Sequence, residues 1–369
     1  MTLEEEYMRY LVFLSLFALA LYAATAEDIY RIYKTKGIDA VEDFLKKEFE
    51  SKETIKVKET KAPIEVKAVA KETKVKVVKT KNPTEKELVS KDFWLKQIRG
   101  MDVEYGYYEN LDSLIVCEKE KKRCEVYKNS EDEGLERIKS HDVIMGKNGD
   151  KVKRGDLKTP VGVYEITKRF KPSDPFYGPL AFSLSYPNLF DVLRGKNGSG
   201  IWIHGMPLDG KDRDDLSKGC VVMDNDAIKV LDAEINPQST MTIIGESKVN
   251  KISKDEIATL LSDVYKWQRA WKVSDINAYL HYYSDDFKKA DGSGKKQFSA
   301  MKKQIFSRKE KKTILFENMN IAPYPTVENR KLFKISYEQT YKSPSFASKG
   351  EKELYVELIG KKMSILAEK

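Results

Sequence analysis

The sequence predicts a mainly β domain over residues 111–245 and a smaller α+β domain over residues 256–369. Two patterns support this prediction. Between 111 and 245, short runs of β-branched and aromatic residues alternate with glycine- and proline-containing gaps, which is typical of strands joined by turns. From Ser253 the apolar residues take helical spacing, and strand-like runs follow the helices, which is the order expected of an α+β domain.

Residues 1–26 have the pattern of a signal peptide. An apolar run from Tyr10 to Tyr22 is short for a membrane span, and the small residues Ala24 and Ala26 follow it with cleavage-site spacing. Acidic residues before the run are unusual there and favour a start at Met8. An uncleaved anchor helix is the alternative. The sequence therefore predicts export to the periplasm.

Two further segments separate this signal from the β domain. Residues 27–50 have roughly helical spacing and predict a short helical segment that could pair with a second copy. Residues 51–86 contain eleven lysines and five glutamates with few large apolar residues, which predicts an extended linker. A lead-in helix is expected over residues 87–110.

The charge distribution argues against nucleic acid as a partner. The chain has 369 residues and a formal net charge of +8, of which +6 lies in the linker at 51–86. The predicted β domain over residues 111–245 is close to neutral, and we expect no nucleic-acid partner.

The predicted elements of each domain follow from local pattern. Strands of the β domain are expected at 114–116, 126–127, 142–146, 161–166, 201–204, 221–223 and 241–244, with a helix at 224–231. In the α+β domain, helices are expected at 254–270 and from Ser274–Asp275 to Tyr282, with strands at 313–316, 331–341, 353–358 and 361–367.

The three cysteines divide into a close pair and a single residue. Cys117 and Cys124 flank a charged turn at 120–121, so that in a hairpin their thiols would face each other. Either a disulfide or two thiols fits this pattern. Cys220 remains as the candidate reactive thiol of an exported protein.

A candidate nucleophile and base lie sixteen positions apart, at Cys220 and His204. A cysteine thiol with a pKa of about 8.5 is mostly protonated at neutral pH, and an imidazole can remove its proton. Gly219 would permit a tight turn that directs backbone amides at an oxyanion. The carbonyl of Gly205 could select the tautomer of the imidazole.

These residues resemble the signature of the LD-transpeptidase (YkuD-type) catalytic domain. The resemblance comprises His204-Gly205, Ser217-x-Gly219-Cys220, and the upstream segments 145–150 and 158–164. It implies a β-sandwich in which Cys220 is the nucleophile, His204 is first base and then acid, and Gly205 orients His204. The implied substrate is a peptidoglycan stem tetrapeptide, attacked after the L-centre of its meso-diaminopimelate so that D-Ala leaves.

The sequence departs from this family at two positions beside the nucleophile. Transpeptidases usually have His before the Gly-Cys pair and Arg two residues after the cysteine, whereas this chain has Lys218 and Val222. We therefore expect an LD-carboxypeptidase that releases D-Ala to water and influences cell shape. An LD-transpeptidase that forms cross-links is one alternative, and a catalytically silent wall-binding scaffold is another.

Further residues are candidates for substrate binding. Ser217 and Lys218 adjoin the nucleophile, and Phe182, Tyr186 and Trp202 are candidates for the groove or for the core beneath it. A mobile loop over the site is expected around Asp209–Asp215. With only three histidines, the chain offers no zinc ligand set, and no cofactor is expected.

Residues 256–369 resemble a nuclear transport factor 2-like domain, a cone with an open pocket. The resemblance is carried by Trp267, Ala270–Trp271, Asp275, Tyr279 and 282–287. The tyrosines among them fit a core better than a ligand cage. The domain order resembles the cell-shape LD-carboxypeptidases of helical Gram-negative bacteria, and a homodimer could form through this domain or through 27–50.

Overall fold

A computed structural model describes residues 83–210, 214–328 and 330–369. The signal peptide predicted at 1–26, the helical segment predicted at 27–50 and nearly all of the predicted linker lie outside the described residues. Within the described part of the chain, no helix is long and apolar enough to cross a membrane.

Eight strands of the first domain pair side by side into one closed barrel. They are β2 (Ser113–Glu118), β3 (Arg123–Ser130), β4 (Gly134–Ile144), β5 (Gly162–Phe170), β6 (Ala181–Leu184), β7 (Trp202–His204), β8 (Val221–Met223) and β9 (Thr240–Gly245). Around the barrel their order is β2-β3-β4-β8-β7-β6-β5-β9. Two helices accompany them, α3 (Leu189–Leu193) and α4 (Asn225–Glu234). The mainly β fold predicted from the sequence is confirmed, although β6 and α3 were not predicted.

The strands β4 and β5 each belong to both sheets of the flattened barrel, which forms a sandwich. β4 pairs with β3 as far as Asp142 and then with β8 at Val143 and Ile144. β5 pairs with β9 at its beginning and with β6 from Ile166 onward. Because both strands pass from one sheet to the other, the sandwich closes at both edges.

The Cys117–Cys124 pair forms a disulfide within the β2–β3 hairpin. The two residues are direct cross-strand partners and both are fully buried. Beside the bridge, the Lys119 ammonium donates to the carbonyl of Gly149 at 2.6 Å. The bridged hairpin therefore supports the loop that follows β4.

The C-terminal domain is a six-stranded sheet covered by helices. Its helices are α5 (Lys254–Lys272), α6 (Ile276–Leu280) and α7 (Lys295–Ser307), and its strands are β10 (Tyr283–Lys289), β11 (Thr313–Tyr324), β12 (Leu332–Lys342), β13 (Ala347–Ile359) and β14 (Lys362–Glu368). The sheet order is β1-β11-β12-β13-β14-β10, where β1 is the short strand Tyr107–Tyr108. The predicted α+β class is confirmed. The sequence did not predict α7, because most of its residues are polar and only Phe298 and Phe306 are buried.

The lead-in segment differs from the helix predicted over residues 87–110. Two short helices, α1 (Glu85–Leu88) and α2 (Lys91–Gln97), precede the strand β1 (Tyr107–Tyr108). β1 pairs with β11, and Trp94 is buried in the core of the C-terminal domain. The segment precedes the barrel in sequence but completes the other domain, because its apolar side chains find their partners there.

Buried polar contacts join the two domains. The Lys334 ammonium on β12 is buried and forms ion pairs with Glu165 on β5 and with Glu353 on β13. Tyr324 on β11 accepts a hydrogen bond from the Asn188 side-chain amide at 3.0 Å. Both domains belong to one compact unit.

Candidate active site

The neighbouring strands β7 and β8 carry the two residues expected to react. They are parallel, with Ile203 opposite Val221 and His204 opposite Val222. Ile203 and Val221 point into the barrel core. Because side chains alternate along a strand, His204 and Val222 lie on the opposite face of these strands. Cys220 precedes β8 directly, opposite Trp202 in the same register. Strand spacing and rise then place the α-carbons of residues 204 and 220 about 8 Å apart on one face.

The tautomer of His204 follows from its contact with the backbone. Its Nδ1 lies 2.8 Å from the carbonyl oxygen of Gly205. Because a carbonyl oxygen only accepts hydrogen bonds, Nδ1 carries the proton and Nε2 carries the lone pair. The ring is fully buried, and the ring of Tyr177 packs edge-on against it at 5.1 Å. The imidazole is therefore held in the orientation and form that a general base requires.

The turn before Cys220 is shaped by Ser217 and Gly219. The Ser217 hydroxyl donates to the carbonyl of Cys220 at 2.6 Å and accepts from the amide of Gly219 at 3.1 Å. Gly219 has a φ of +128°, and a Cβ there would lie 2.9 Å from the carbonyl oxygen of Lys158. Glycine is therefore required at this position, as expected.

The structure shows Ser217 and Gly219 within the turn, and their predicted role in binding an oxyanion or substrate stays a prediction. The Gly219 amide is directed at the Ser217 hydroxyl, and Ser217 is buried. Both residues hold the turn. The Cys220 thiol itself is half-buried and lies 3.6 Å from the carbonyl of Gly200.

Two of the residues proposed for the substrate groove lie in the core instead. Phe182 is fully buried and pairs with Ile203 across β6 and β7, so its side chain lies on the face opposite His204. Tyr186 is also buried, and its hydroxyl donates to the carbonyl of Asn197 at 3.1 Å. Of the two alternatives that the sequence left open, core packing therefore holds for both. The sequence could not decide, because a cross-strand neighbour determines which face a side chain occupies.

Trp202 and Lys218 lie beside the site. The Trp202 ring packs against Phe170 and Tyr177, both at 5.0 Å, which agrees with its expected place beneath the site. Lys218 is exposed. Of the acidic loop expected over the site, Asp214 and Asp215 are exposed, whereas Asp212 lies outside the described residues.

Tyr177 and Asn225 were missed by sequence reasoning. Tyr177 contacts His204 from a short 3-10 helix, and the Asn225 side chain accepts a hydrogen bond from the amide of Met206 at 2.9 Å. Neither residue belongs to a motif with a characteristic spacing from His204. Only the folded chain brings them to the site.

The C-terminal domain contains a small aromatic pocket of about 60 Å³. Its walls include Trp267, Trp271 and Tyr279, and the ammonium of Lys302 lies 4.8 Å from the centre of the Trp271 ring. Burial lowers the pKa of Lys302. Tyr279 is fully buried and stacks on Trp267, in keeping with its predicted core position. Among the described residues, no group of three or more acidic, histidine or cysteine side chains is arranged to bind a metal.

Comparisons with known proteins agree with this architecture. A family model described as the L,D-transpeptidase catalytic domain (YkuD) matches residues 112–244. A second, the Cds6 C-terminal NTF2-like domain, matches residues 259–369.

Several individual proteins are also similar. A crystal structure of Pgp2, described as a helical cell shape determining protein of Campylobacter jejuni, is 41% identical with a TM-score of 0.72, covering 76% of this chain and 99% of that one. Bd1075 of Bdellovibrio bacteriovorus is 31% identical with a TM-score of 0.58, covering 72% of this chain and 95% of that one. YafK of Escherichia coli K12 is 33% identical over 81 residues, which are 22% of this chain and only 29% of YafK.

The closed barrel, the residues around Cys220 and His204, and the order of the two domains are all those expected from these matches. The chain belongs to the L,D-transpeptidase (YkuD) family, in a form that carries a C-terminal NTF2-like domain.

Proposed function

We propose that this protein is a peptidoglycan L,D-carboxypeptidase that removes the terminal D-Ala from stem tetrapeptides through an acyl-enzyme on Cys220. The observation that carries the proposal is the parallel register of β7 and β8, which brings residues 204 and 220 to one face. The contact between His204 and the Gly205 carbonyl supports it, because that contact leaves Nε2 as the basic nitrogen.

The reaction follows from the chemistry of these groups. His204 accepts the thiol proton of Cys220, and the thiolate attacks the carbonyl carbon of the bond between the L-centre of diaminopimelate and D-Ala. A C–S bond forms, the C–N bond breaks, and the imidazolium protonates the departing amine of D-Ala. Water then attacks the thioester with His204 as base, which releases the tripeptide and restores the thiol.

The positions on either side of the nucleophile favour water over an amine acceptor. Lys218 replaces the histidine usual in transpeptidases and is exposed, while Val222 replaces the usual arginine. Val222 is the direct cross-strand partner of His204 and is buried. An apolar side chain there cannot hold the carboxylate of a second stem peptide as a guanidinium would.

We also place the protein in the periplasm and assign it an influence on cell shape. The buried disulfide between Cys117 and Cys124 supports an oxidising compartment, which agrees with the export signal predicted at residues 1–26. The similarity to Pgp2, named as a helical cell shape determinant, supports the role in shape.

The test is incubation of the purified full-length protein with defined monomeric tetrapeptide muropeptides. We expect tripeptide and D-Ala in equal amounts, without cross-linked dimer. The Cys220→Ala variant should lose this activity, whereas Arg123→Ala, which removes an exposed side chain on β3 away from the nucleophile, serves as the control for a folded domain.

Two results would overturn the proposal. A cross-linked dimer from wild-type protein would assign the transpeptidase reaction instead. Unchanged product patterns and unchanged cell shape in a Cys220→Ala strain would favour the wall-binding scaffold.

A further inference from the structure

We propose that Asn225 is a positioning residue for His204 and that it acts through the peptide unit between Gly205 and Met206. This inference rests on the proposed function, in which His204 is the base for Cys220. It assigns a role to a residue on α4 that does not touch the reacting atoms.

Two hydrogen bonds meet at opposite ends of one peptide group. The side-chain oxygen of Asn225 accepts from the amide N–H of Met206 at 2.9 Å. The carbonyl of Gly205 accepts from Nδ1 of His204 at 2.8 Å. That carbonyl and that N–H belong to the same planar peptide unit, so a bond that fixes one end also fixes the direction of the other.

The surrounding backbone is shaped to admit the Asn225 side chain. A Cβ on Gly205 would lie 2.4 Å from its side-chain oxygen, and a Cβ on Gly178 would lie 2.9 Å from the same atom. Gly178 also has a φ of +75°, which favours glycine. Two glycines from different segments therefore leave room for one amide oxygen.

The helix itself does not account for Asn225. The N-cap of α4 is Asp224, whose carboxylate accepts from the amide of Asp226 at 2.8 Å. Asn225 follows the cap, is half-buried, and is a weaker helix former than many residues that would fit there. Its side chain turns away from capping and toward the loop after β7.

The arrangement also has an electrostatic consequence. A hydrogen bond accepted from a peptide N–H polarises the peptide and makes its carbonyl a better acceptor. The Gly205 carbonyl would then stabilise the imidazolium form of His204 more strongly. Loss of the Asn225 oxygen should therefore reduce the fraction of Cys220 present as thiolate.

The test uses Asn225→Ala, which removes the acceptor, and Asn225→Asp, which keeps an acceptor oxygen in the same place. Asp226→Ala is the matched control, because Asp226 lies on the same helical turn with its carboxylate exposed to solvent. The rate of Cys220 alkylation by iodoacetamide is followed against pH in full-length protein, together with tripeptide release and the NMR signal of the His204 Nδ1 proton.

We expect Asn225→Ala to lower the alkylation rate at neutral pH about three- to tenfold, the scale of one hydrogen bond, and to move the midpoint of the pH profile upward. The Nδ1 proton signal should shift or broaden. Asn225→Asp should stay at or above the wild-type rate, and Asp226→Ala should match wild type.

A purely structural role would lower the melting temperature of Asn225→Ala without moving its pH profile, and that outcome would overturn the inference. Equal losses in Asn225→Ala and Asn225→Asp would do the same. If wild-type protein and His204→Ala share one alkylation profile, the Cys–His pair itself is absent, which overturns the proposed function and this role together.

Discussion

Reduction of the disulfide between Cys117 and Cys124 should destabilise the protein by a measurable and calculable amount. The bridge closes a loop of eight residues, from 117 to 124. In the chain-entropy model, a loop of this size restricts the unfolded chain by about 2.5 kcal/mol at 25 °C. Both cysteines of the bridge are fully buried in the folded protein.

The expected shift in melting temperature follows from the size of the folded unit. The described residues from 83 to 369 belong to one compact unit. At about 2.1 cal/mol/K per residue, its unfolding entropy is roughly 0.6 kcal/mol/K. A loss of about 2.5 kcal/mol then lowers the melting temperature by about 4 °C.

The assay is thermal unfolding followed by circular dichroism, with and without dithiothreitol. Thiol titration in denaturant should give one thiol per chain before reduction and three afterwards, since the chain has three cysteines. The double variant Cys117→Ala/Cys124→Ala is the control, and its melting temperature should not respond to the reductant.

Two results would refute this reasoning. If the reduced protein titrates with three thiols yet melts at the same temperature, packing alone holds the hairpin. If the double variant responds to dithiothreitol as strongly as wild type, the effect comes from elsewhere in the chain.

Two further perturbations test the turn at the nucleophile and the loop beside it. Gly219→Ala should cost about 2–3 kcal/mol and most of the activity, because a φ of +128° and the Lys158 carbonyl at 2.9 Å both oppose a Cβ. Gly195→Ala, with a φ of +77° and open space, should cost only about 1 kcal/mol. If urea unfolding shows the same loss of stability for Gly219→Ala and Gly195→Ala, the contact with the Lys158 carbonyl does not explain the cost at Gly219. Burial raises the pKa of Asp156, but hydrogen bonds from Lys151 and from three backbone amides outweigh it and hold that pKa below the usual carboxyl range. The carboxylate therefore stabilises the fold above about pH 4, and this stability is lost as the pH falls below that value. Asp156→Asn should be less stable than wild type by about 1–2 kcal/mol at pH 7, with a difference that shrinks toward pH 3. A difference independent of pH would contradict this assignment.

The sequence predicted the elements with strong local signals. The helix expected at 254–270 extends to Lys272, and it begins with Ser253 as N-cap and Glu256 completing a capping box. The strands at 201–204 and 221–223 agree with the structure to within a residue. Weak signals were missed: β6 has only four residues, and α7 is largely polar.

The prediction of side-chain environment was less successful. Phe182 and Tyr186 have the aromatic character of groove residues, yet both belong to the barrel core. Trp94 lies next to the first domain in sequence but packs in the second. In each case the partners come from distant segments, which no local pattern specifies.

The sequence by itself determined the chemical identity of the candidate site, because a cysteine, a histidine and the glycines beside them form a motif with characteristic spacing. It also determined the two domain classes, because strand and helix periods differ along the chain. Only the tertiary structure decided whether Cys117 and Cys124 join, which face each aromatic residue occupies, and that Asn225 reaches the loop after His204. Those outcomes depend on cross-strand register and on contacts between remote segments, and both arise only when the chain is folded.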